Sequence, residues 1–250
     1  MPEEVTATSP RPVRRVVMSQ RWRDLAMVHW SVPPRDVAAF MPPGTRPDTC
    51  GGRTYVGLIP FRMVDAGIGR GPAVPWLGTF LETNVRLYSV DARGRRGIVF
   101  RSLDADRLAV VLGARAAYGL PYIWSRLSFE RAGPEPHRRD LLTYRTRRRR
   151  EGAPSSDLTV RVGAPVLAPT PLEEWLTARW GLHSRWLGRT TYVPNEHGVW
   201  PLHRAEVVHL DDGLVAAAGF AGVTGRPPDS VLWSPGVEAV FGPPSGMLAR

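Results

Sequence analysis

The stretch richest in chemistry is Phe80-Leu81-Glu82-Thr83-Asn84-Val85-Arg86-Leu87-Tyr88. A period of two assigns Leu81, Val85 and Leu87 to one face of a strand and Glu82, Asn84 and Arg86 to the other. An acid, an amide and a guanidinium in one row suit proton transfer beside an anchored carboxylate. Two placements satisfy the pattern. The polar face meets water, as the outer face of an antiparallel sheet does, or it lines a barrel interior and the three groups share a pocket. A second stretch is Tyr118-Gly119-Leu120-Pro121-Tyr122, which leads into a strand with Tyr122, Trp124, Arg126 and Ser128 on one face. At the strand entrance the Tyr122 phenol can donate a hydrogen bond or a proton, or pack as an ordinary tyrosine with a satisfied hydroxyl.

Other chemistries find less support. The histidines are His29, His137, His183, His197, His203 and His209, and none makes a metal-binding pattern. His197, His203 and His209 recur every six residues, a spacing that no helix or strand face gathers into ligands. A site built from His29, His197 and a distant carboxylate is the one metal arrangement left open, and no metal or cofactor is expected. There is no Gly-x-Ser-x-Gly elbow, and Cys50 lies beside Gly51-Gly52 with no base in view. Gly67-Ile68-Gly69-Arg70-Gly71 runs into prolines, not into a helix, so a phosphate cradle is not expected. All 33 basic residues are arginine. Without lysine, no step can use a lysine amine as nucleophile, imine former or base.

These residues need a scaffold; the chain of 250 residues suits one large domain or two small ones, and no linker long enough to divide domains is seen. Alternation predicts strands over Arg53–Phe61, Phe80–Val90, Tyr122–Glu130 and Asp140–Arg147. Shorter β-like runs are Gly97–Leu103, Asp157–Val162, Thr190–Val193, Ala205–Leu210 and Leu214–Val223, the last two joined by an Asp211-Asp212-Gly213 hairpin signal. Two helices are well marked. One is capped by Asp104 and runs to about Tyr118, where Gly119 and Pro121 stop it. The other opens on the capping box Thr170-Pro171-Leu172-Glu173 and runs through Trp180. A weaker third covers Pro34–Phe40. Regular βαβ alternation is missing, so the chain reads as α+β, mostly antiparallel sheet with a few packed helices.

The net charge of +10 raises nucleic acid as a partner. The arginines concentrate at Arg11, Arg14, Arg15, Arg21 and Arg23, and again at Arg138, Arg139, Arg145 and Arg147 to Arg150. Neither place interleaves aromatics, so a solvated basic surface is favoured over nucleic-acid binding. No apolar run reaches the roughly 20 residues of a membrane helix, and Met1–Arg15 has no apolar stretch of a secretory signal. With its single cysteine the protein is expected in the cytoplasm.

At the level of whole segments the chain resembles a known family. His29-Trp30-Ser31-Val32-Pro33, Tyr55 to Phe61, Phe80 to Tyr88, Ser102-Leu103-Asp104-Ala105, Ala114-Arg115 with Gly119 to Tyr122, Ala178-Arg179-Trp180 and Trp200-Pro201-Leu202 occur in order. Together they resemble the YqjF-like bacterial family of unknown function, within the acetoacetate decarboxylase-like superfamily. The resemblance spans about Arg21 to Gly242. It implies a cone-shaped antiparallel β-barrel with an interior cavity and two or three flanking helices, which favours the interior placement of Glu82. A single domain of this type is expected over 16–242, and the segments either side read as a flexible N-terminal tail (1–15) and a C-terminal tail (243–250). The superfamily's decarboxylases carry a Gly-Phe-Pro-Lys-Lys-like segment whose first lysine forms an imine with the substrate ketone. Here the segment is Gly119-Leu120-Pro121-Tyr122-Ile123, and Tyr122 stands in the lysine's place, so imine decarboxylation is excluded. Glu82 resembles a carboxylate of the decarboxylase pocket and Arg23 its substrate-binding arginine, while a second pocket glutamate of the decarboxylases is absent, its place falling near Gly57.

The expected site therefore has Glu82 and Tyr122 as its catalytic pair, with Arg23, His29, Asn84, Arg86, Trp124, His197 and Trp200 around the substrate. The expected function is general acid–base catalysis on an oxo-acid-like small molecule, of lyase, isomerase, cyclase or hydrolase type. A noncatalytic small-ligand-binding protein is the alternative, with nucleic-acid binding through the arginines behind it. An exposed sheet edge, or the helix holding Trp175 and Trp180, leaves room for a homo-oligomer.

Overall fold

The computed structural model describes residues 1–132 and 140–246. Arg138, Arg139 and His137 lie outside the described residues, as does the end of the C-terminal tail. The strands are β1 (Met18–Val32), β2 (Thr45–Pro47), β3 (Thr54–Ile68), β4 (Phe80–Asp91), β5 (Arg96–Ala105), β6 (Tyr122–Ala132) and β7 (Leu141–Arg148). They continue with β8 (Ser155–Pro165), β9 (Gly181–Trp186), β10 (Arg189–His197), β11 (His203–Asp212), β12 (Ser230–Phe241) and β13 (Ser245–Gly246). Among the described residues the helices are α1 (Pro34–Ala38), α2 (Leu108–Tyr118), α3 (Pro171–Thr177) and α4 (Leu214–Ala217). The α+β, mostly sheet architecture expected from alternation is present.

The strands form one sheet in the order β13-β10-β9-β5-β6-β7-β8-β11-β12-β1-β3-β4-β2. Two further pairings, β10–β12 and β5–β4, join strands distant in that order, so the sheet returns on itself. Most pairs are antiparallel, and β5 runs parallel to both β6 and β9. On one side of β4, Val85 and Leu87 enter a core with Trp30, Leu58, Leu158 and Trp233, covered by Leu214 and Val215 of α4. The opposite side faces a second apolar cluster that surrounds the cavity.

β1 changes its inward face partway along. Gln20 and Trp22 line the cavity, then Leu25 and Met27 do. Between them β1 carries one residue more than β3, and Asp24 adopts φ 52. Arg62 and Arg131 hold the Asp24 carboxylate at 2.9 and 2.6 Å, and the Tyr144 hydroxyl donates to its carbonyl. Opposite, Gly236 pairs with Arg23 at φ 123, where a Cβ would lie 1.8 Å from the Trp22 carbonyl oxygen.

Three local expectations change. Asp104 does not cap α2; it is buried near the end of β5, where Arg148 and Ser125 bind its carboxylate, and α2 starts four residues later. The Thr170–Glu173 capping box is formed, but α3 ends at Thr177, so Arg179 and Trp180 follow the helix. Leu214–Val223 is not a strand. The Val215 amide donates to Asp212 Oδ2, and the chain turns into α4.

The N-terminal segment lies against the sheet. The Glu3 amide donates to the Gly94 carbonyl, Arg96 donates to Glu3, and Trp180 Nε1 donates to the Thr6 carbonyl. Among the described residues no helix is long and apolar enough to cross a membrane.

Candidate active site

Strand register assembles the polar centre. β5 lies between β4 and β6: Asn84 pairs with Leu103, and Leu103 pairs with Tyr122. Gly119 ends α2 in the left-handed conformation, φ 62. Arg115 Nε then donates to the Tyr122 carbonyl at 2.6 Å, fixing the entry into β6. The Tyr122 side chain thereby reaches across β5 toward β4.

Glu82 is 3% exposed. Its Oε2 accepts from the Tyr122 hydroxyl at 2.8 Å, and its Oε1 accepts from Asn84 Nδ2 at 3.3 Å. Burial pushes the Glu82 carboxyl up to about 7; the Tyr122 and Asn84 hydrogen bonds oppose the rise, and the Asp104 charge adds to it. Burial also holds the Tyr122 phenol well above its usual range, with the Glu82 charge and hydrogen bond adding to the effect. At neutral pH the pair is thus a phenol that keeps its proton beside a carboxyl close to half-titration. Asn84 Oδ1 is buried and has no donor among the described residues.

The pair opens on a mostly apolar cavity of about 130 Å³. Met27, Ile59, Phe61, Phe100 and Leu182 contribute to its walls. Trp22 and Trp200 stack with centroids 5.8 Å apart and planes 11° from parallel. His197 packs between Trp180 and Trp200, at 4.5 and 4.8 Å. Its Nδ1 is 2.7 Å from the Gly198 carbonyl, which can only accept, so Nδ1 carries the hydrogen and Nε2 is the acceptor. Burial lowers the His197 pKa to about 4, with the Arg86 charge assisting and the Gly198 bond opposing, so the ring is neutral at pH 7.

Glu82, Tyr122, Asn84, Arg86, His197 and Trp200 of the expected set line this cavity. Three expected residues do not. Arg23 precedes the β1 bulge, has the parity opposite to Trp22, and donates to the Trp22 carbonyl. Trp124 pairs with Ala105 where β5 ends, so its face is open to solvent and Arg149 stacks over it at 4.0 Å. His29 is fully buried beneath the cavity, against Gly57 and Arg86. Its Nε2 lies 2.7 Å from the Tyr88 hydroxyl, and burial, with the Arg86 and Arg179 charges, keeps the ring neutral.

Sequence reasoning missed Arg179, Gln20, Trp22, Thr177 and Asn195, all of which line the cavity. Arg179 stood within the Ala178-Arg179-Trp180 segment, but a helix expected to run through Trp180 concealed its orientation. Part of the arginine clusters serves the fold: Arg148 binds buried Asp104, and Arg145 pairs with Glu130 and Asp157.

Residues 19–238 match DUF2071, a family described as an uncharacterized conserved protein. The uncharacterized protein YqjF of Bacillus subtilis (strain 168) is 31% identical over 192 residues, which is 76% of this chain and 76% of that one. Similar solved structures include an acetoacetate decarboxylase-like enzyme from Sphingomonas wittichii RW1, with TM-score 0.65, 14% identity and 96% of each chain covered. Acetoacetate decarboxylase from Legionella pneumophila has TM-score 0.63 and 15% identity, covering 96% of this chain and 92% of that one. The enduracididine biosynthesis enzyme MppR has TM-score 0.62 and 15% identity, covering 98% and 90%. At these identities the structural likeness is one of fold. The chain therefore belongs to the DUF2071 family, the YqjF-like family its segments resemble, and has the acetoacetate decarboxylase-like fold.

Proposed function

We propose that this protein is a small-molecule enzyme that moves a proton at the carbon next to a substrate carbonyl, inside a cone-shaped barrel. The observation that carries this reading is the buried Glu82 carboxyl, with a pKa of about 7, hydrogen-bonded to the Tyr122 phenol in the cavity. The returning pairings β5–β4 and β10–β12 support the barrel. Glu82 as carboxylate takes the proton, the Tyr122 hydroxyl turns from Glu82 to the substrate carbonyl oxygen, and Arg86 holds a carboxylate. A carboxylate base beside a phenol suits enolisation, and from the enol, dehydration, isomerisation or cyclisation. MppR, of the same fold, has been solved complexed with pyruvate and with the condensation product of pyruvate and imidazole 4-carboxaldehyde. Oxo-acid chemistry within this architecture supports the substrate class. The imine route is closed to this chain, which has tyrosine at position 122 and no lysine.

The test is proton–deuterium exchange next to the ketone of a panel of oxo-acids, followed by NMR in heavy water. Wild-type protein is expected to accelerate exchange, and Glu82→Gln and Tyr122→Phe to lower the rate at least about 100-fold while retaining the wild-type circular dichroism. Exchange at the parental rate in both variants removes the assignment. The predominance of apolar walls favours a second reading, a protein that only holds an apolar acid. Under it, ligands bind and no proton exchanges.

A further inference from the structure

The cavity holds more positive charge than its carboxylates balance, and the excess is at one end. Tyr88 marks that end: the Arg86 guanidinium carbon lies 5.5 Å from its ring centroid and that of Arg179 lies 4.8 Å away. Arg179 donates through Nη1 to Asp48 at 2.7 Å, and Asp48 is shared with Arg96. Among the described residues Arg86 forms no ion pair, and the buried Nε and Nη2 of Arg179 donate to nothing. Two arginines thus share one carboxylate, and Arg86 adds a third positive charge with none. His29 and His197 are neutral and compensate nothing, and Glu82 is engaged by Tyr122 and Asn84. A buried guanidinium edge without an acceptor is costly, and a bound carboxylate satisfies it.

Position along β4 turns this charge into a measure of ligand length. Arg86 Nε donates to the Tyr88 hydroxyl at 3.2 Å and Nη2 to the Leu176 carbonyl at 3.4 Å, so the head leans away from Glu82. The two Cα atoms are four residue steps apart along the strand, about 13 Å at about 3.3 Å per step. Glu82 leans toward Asn84, which shortens the span by no more than about two residues, to about 7 Å. Between the two ends Ile59, paired with Asn84, gives an apolar wall, and Phe100 pairs with Arg86 at the far end.

We propose that Arg86 and Arg179 form a carboxylate receptor at the Tyr88 end of the cavity, so that the ligand is an oxo-acid whose carboxylate is separated from its reacting carbonyl by an apolar spacer. This rests on the reading of Glu82 and Tyr122 as the reacting end. Acids whose carboxylate carbon lies one or two bonds from the carbonyl carbon, the 2-oxo- and 3-oxo-acids, cannot span both ends at once.

The experiment is calorimetric titration of the full chain at pH 7 with octanoate, octanamide and acetate. Octanoate is expected to bind at least tenfold more tightly than octanamide and at least a hundredfold more tightly than acetate. Arg86→Gln and Arg179→Lys are each expected to weaken octanoate at least tenfold without changing octanamide affinity. Equal binding of octanoate and octanamide, equal binding of octanoate and acetate, or retained octanoate affinity in either folded variant overturns the proposal. Arg179→Lys keeps a cation for Asp48; should it not fold, the wild-type comparison and Arg86→Gln decide. Octanoate has no ketone and needs no proton transfer, so its binding reads the receptor alone. Loss of the acid–base reading in the exchange assay is therefore separable from loss of this receptor.

Discussion

The Tyr122 hydroxyl donates to Glu82 Oε2 at 2.8 Å across the width of β5, joining a phenol that stays protonated to a carboxyl that titrates near neutrality. That bond opposes the upward push of burial on Glu82. Removing the phenol in Tyr122→Phe is therefore expected to raise the Glu82 pKa above its value of about 7. Carbon-13 NMR titration of the glutamate carboxyls, with Glu82→Gln for assignment, reads this directly. A midpoint that stays in place or falls contradicts the geometry. With Glu82 as base, wild-type exchange is expected to rise through about pH 7 and then level.

The same carboxyl links stability to pH. Its folded pKa is raised from 4.5 to about 7, so between those values the native state binds more protons than the unfolded chain. Glu82 therefore lowers stability as pH rises from about 4.5 to about 7, by on the order of 3 kcal/mol in all. His197 acts in the opposite sense at lower pH: its pKa falls from 6.5 to about 4, so its contribution to stability rises across that window. Urea unfolding of wild type and Glu82→Gln at pH 5 and pH 8 isolates the first effect. The variant is expected to lose less stability than wild type between the two values, and parallel losses speak against a raised Glu82 pKa.

Behind the Glu82–Tyr122 pair, Arg148 binds both carboxylate oxygens of Asp104 at 2.8 and 3.0 Å, and the Ser125 hydroxyl donates at 2.7 Å. Asp104 is fully buried. Arg148→Gln leaves that charge uncompensated and is expected to cost about 3–5 kcal/mol. It is also expected to shift the Glu82 midpoint upward, because the Asp104 charge raises Glu82. Arg148→Gln combined with Asp104→Asn removes the stranded charge and should recover part of the stability. Denaturant midpoints of the two variants check this, and no recovery in the double variant rules out charge as the cause.

Gly236 has no room for a methyl group, since a Cβ there would lie 1.8 Å from the Trp22 carbonyl oxygen in a backbone conformation of φ 123. Gly236→Ala is expected to destabilise by about 3 kcal/mol or more. Gly225→Ala, with nothing within 4 Å of the added carbon, serves as the control. Thermal unfolding of both distinguishes a crowded strand crossing from ordinary glycine replacement; equal melting temperatures contradict the crowding.

How far the sequence could be read depends on strand burial. β4 alternates because one face packs on the α4 core and the other faces the cavity, and the row Glu82, Asn84, Arg86 follows from that period. β1, the strand joining β3 to β12, went unrecognised. Residues 24–30 are buried on both faces, and the extra residue at Asp24 breaks the alternation. β12 was missed because Pro235 and Gly236 interrupt it. Arg23 and Trp124 were misplaced for related reasons, one by the parity change and the other by the end of β5. His29 has the inward parity of Leu25 and Met27 but lies a layer deeper, and no one-dimensional pattern encodes depth. Arg179 needed tertiary knowledge of a different kind, namely where α3 stops.

The supernumerary residue in β1 decides which chemistry the cavity wall receives. It lets Trp22 and Leu25 face the same interior although they stand three positions apart, and it turns the Arg23 guanidinium outward. With the same residues in regular alternation and no bulge at Asp24, Arg23 instead of Trp22 would share the face of Leu25, setting a guanidinium in place of an indole beside Trp200. One backbone irregularity at Asp24 thus sets whether this stretch of the cavity wall carries an aromatic ring or a third cation beside Arg86 and Arg179.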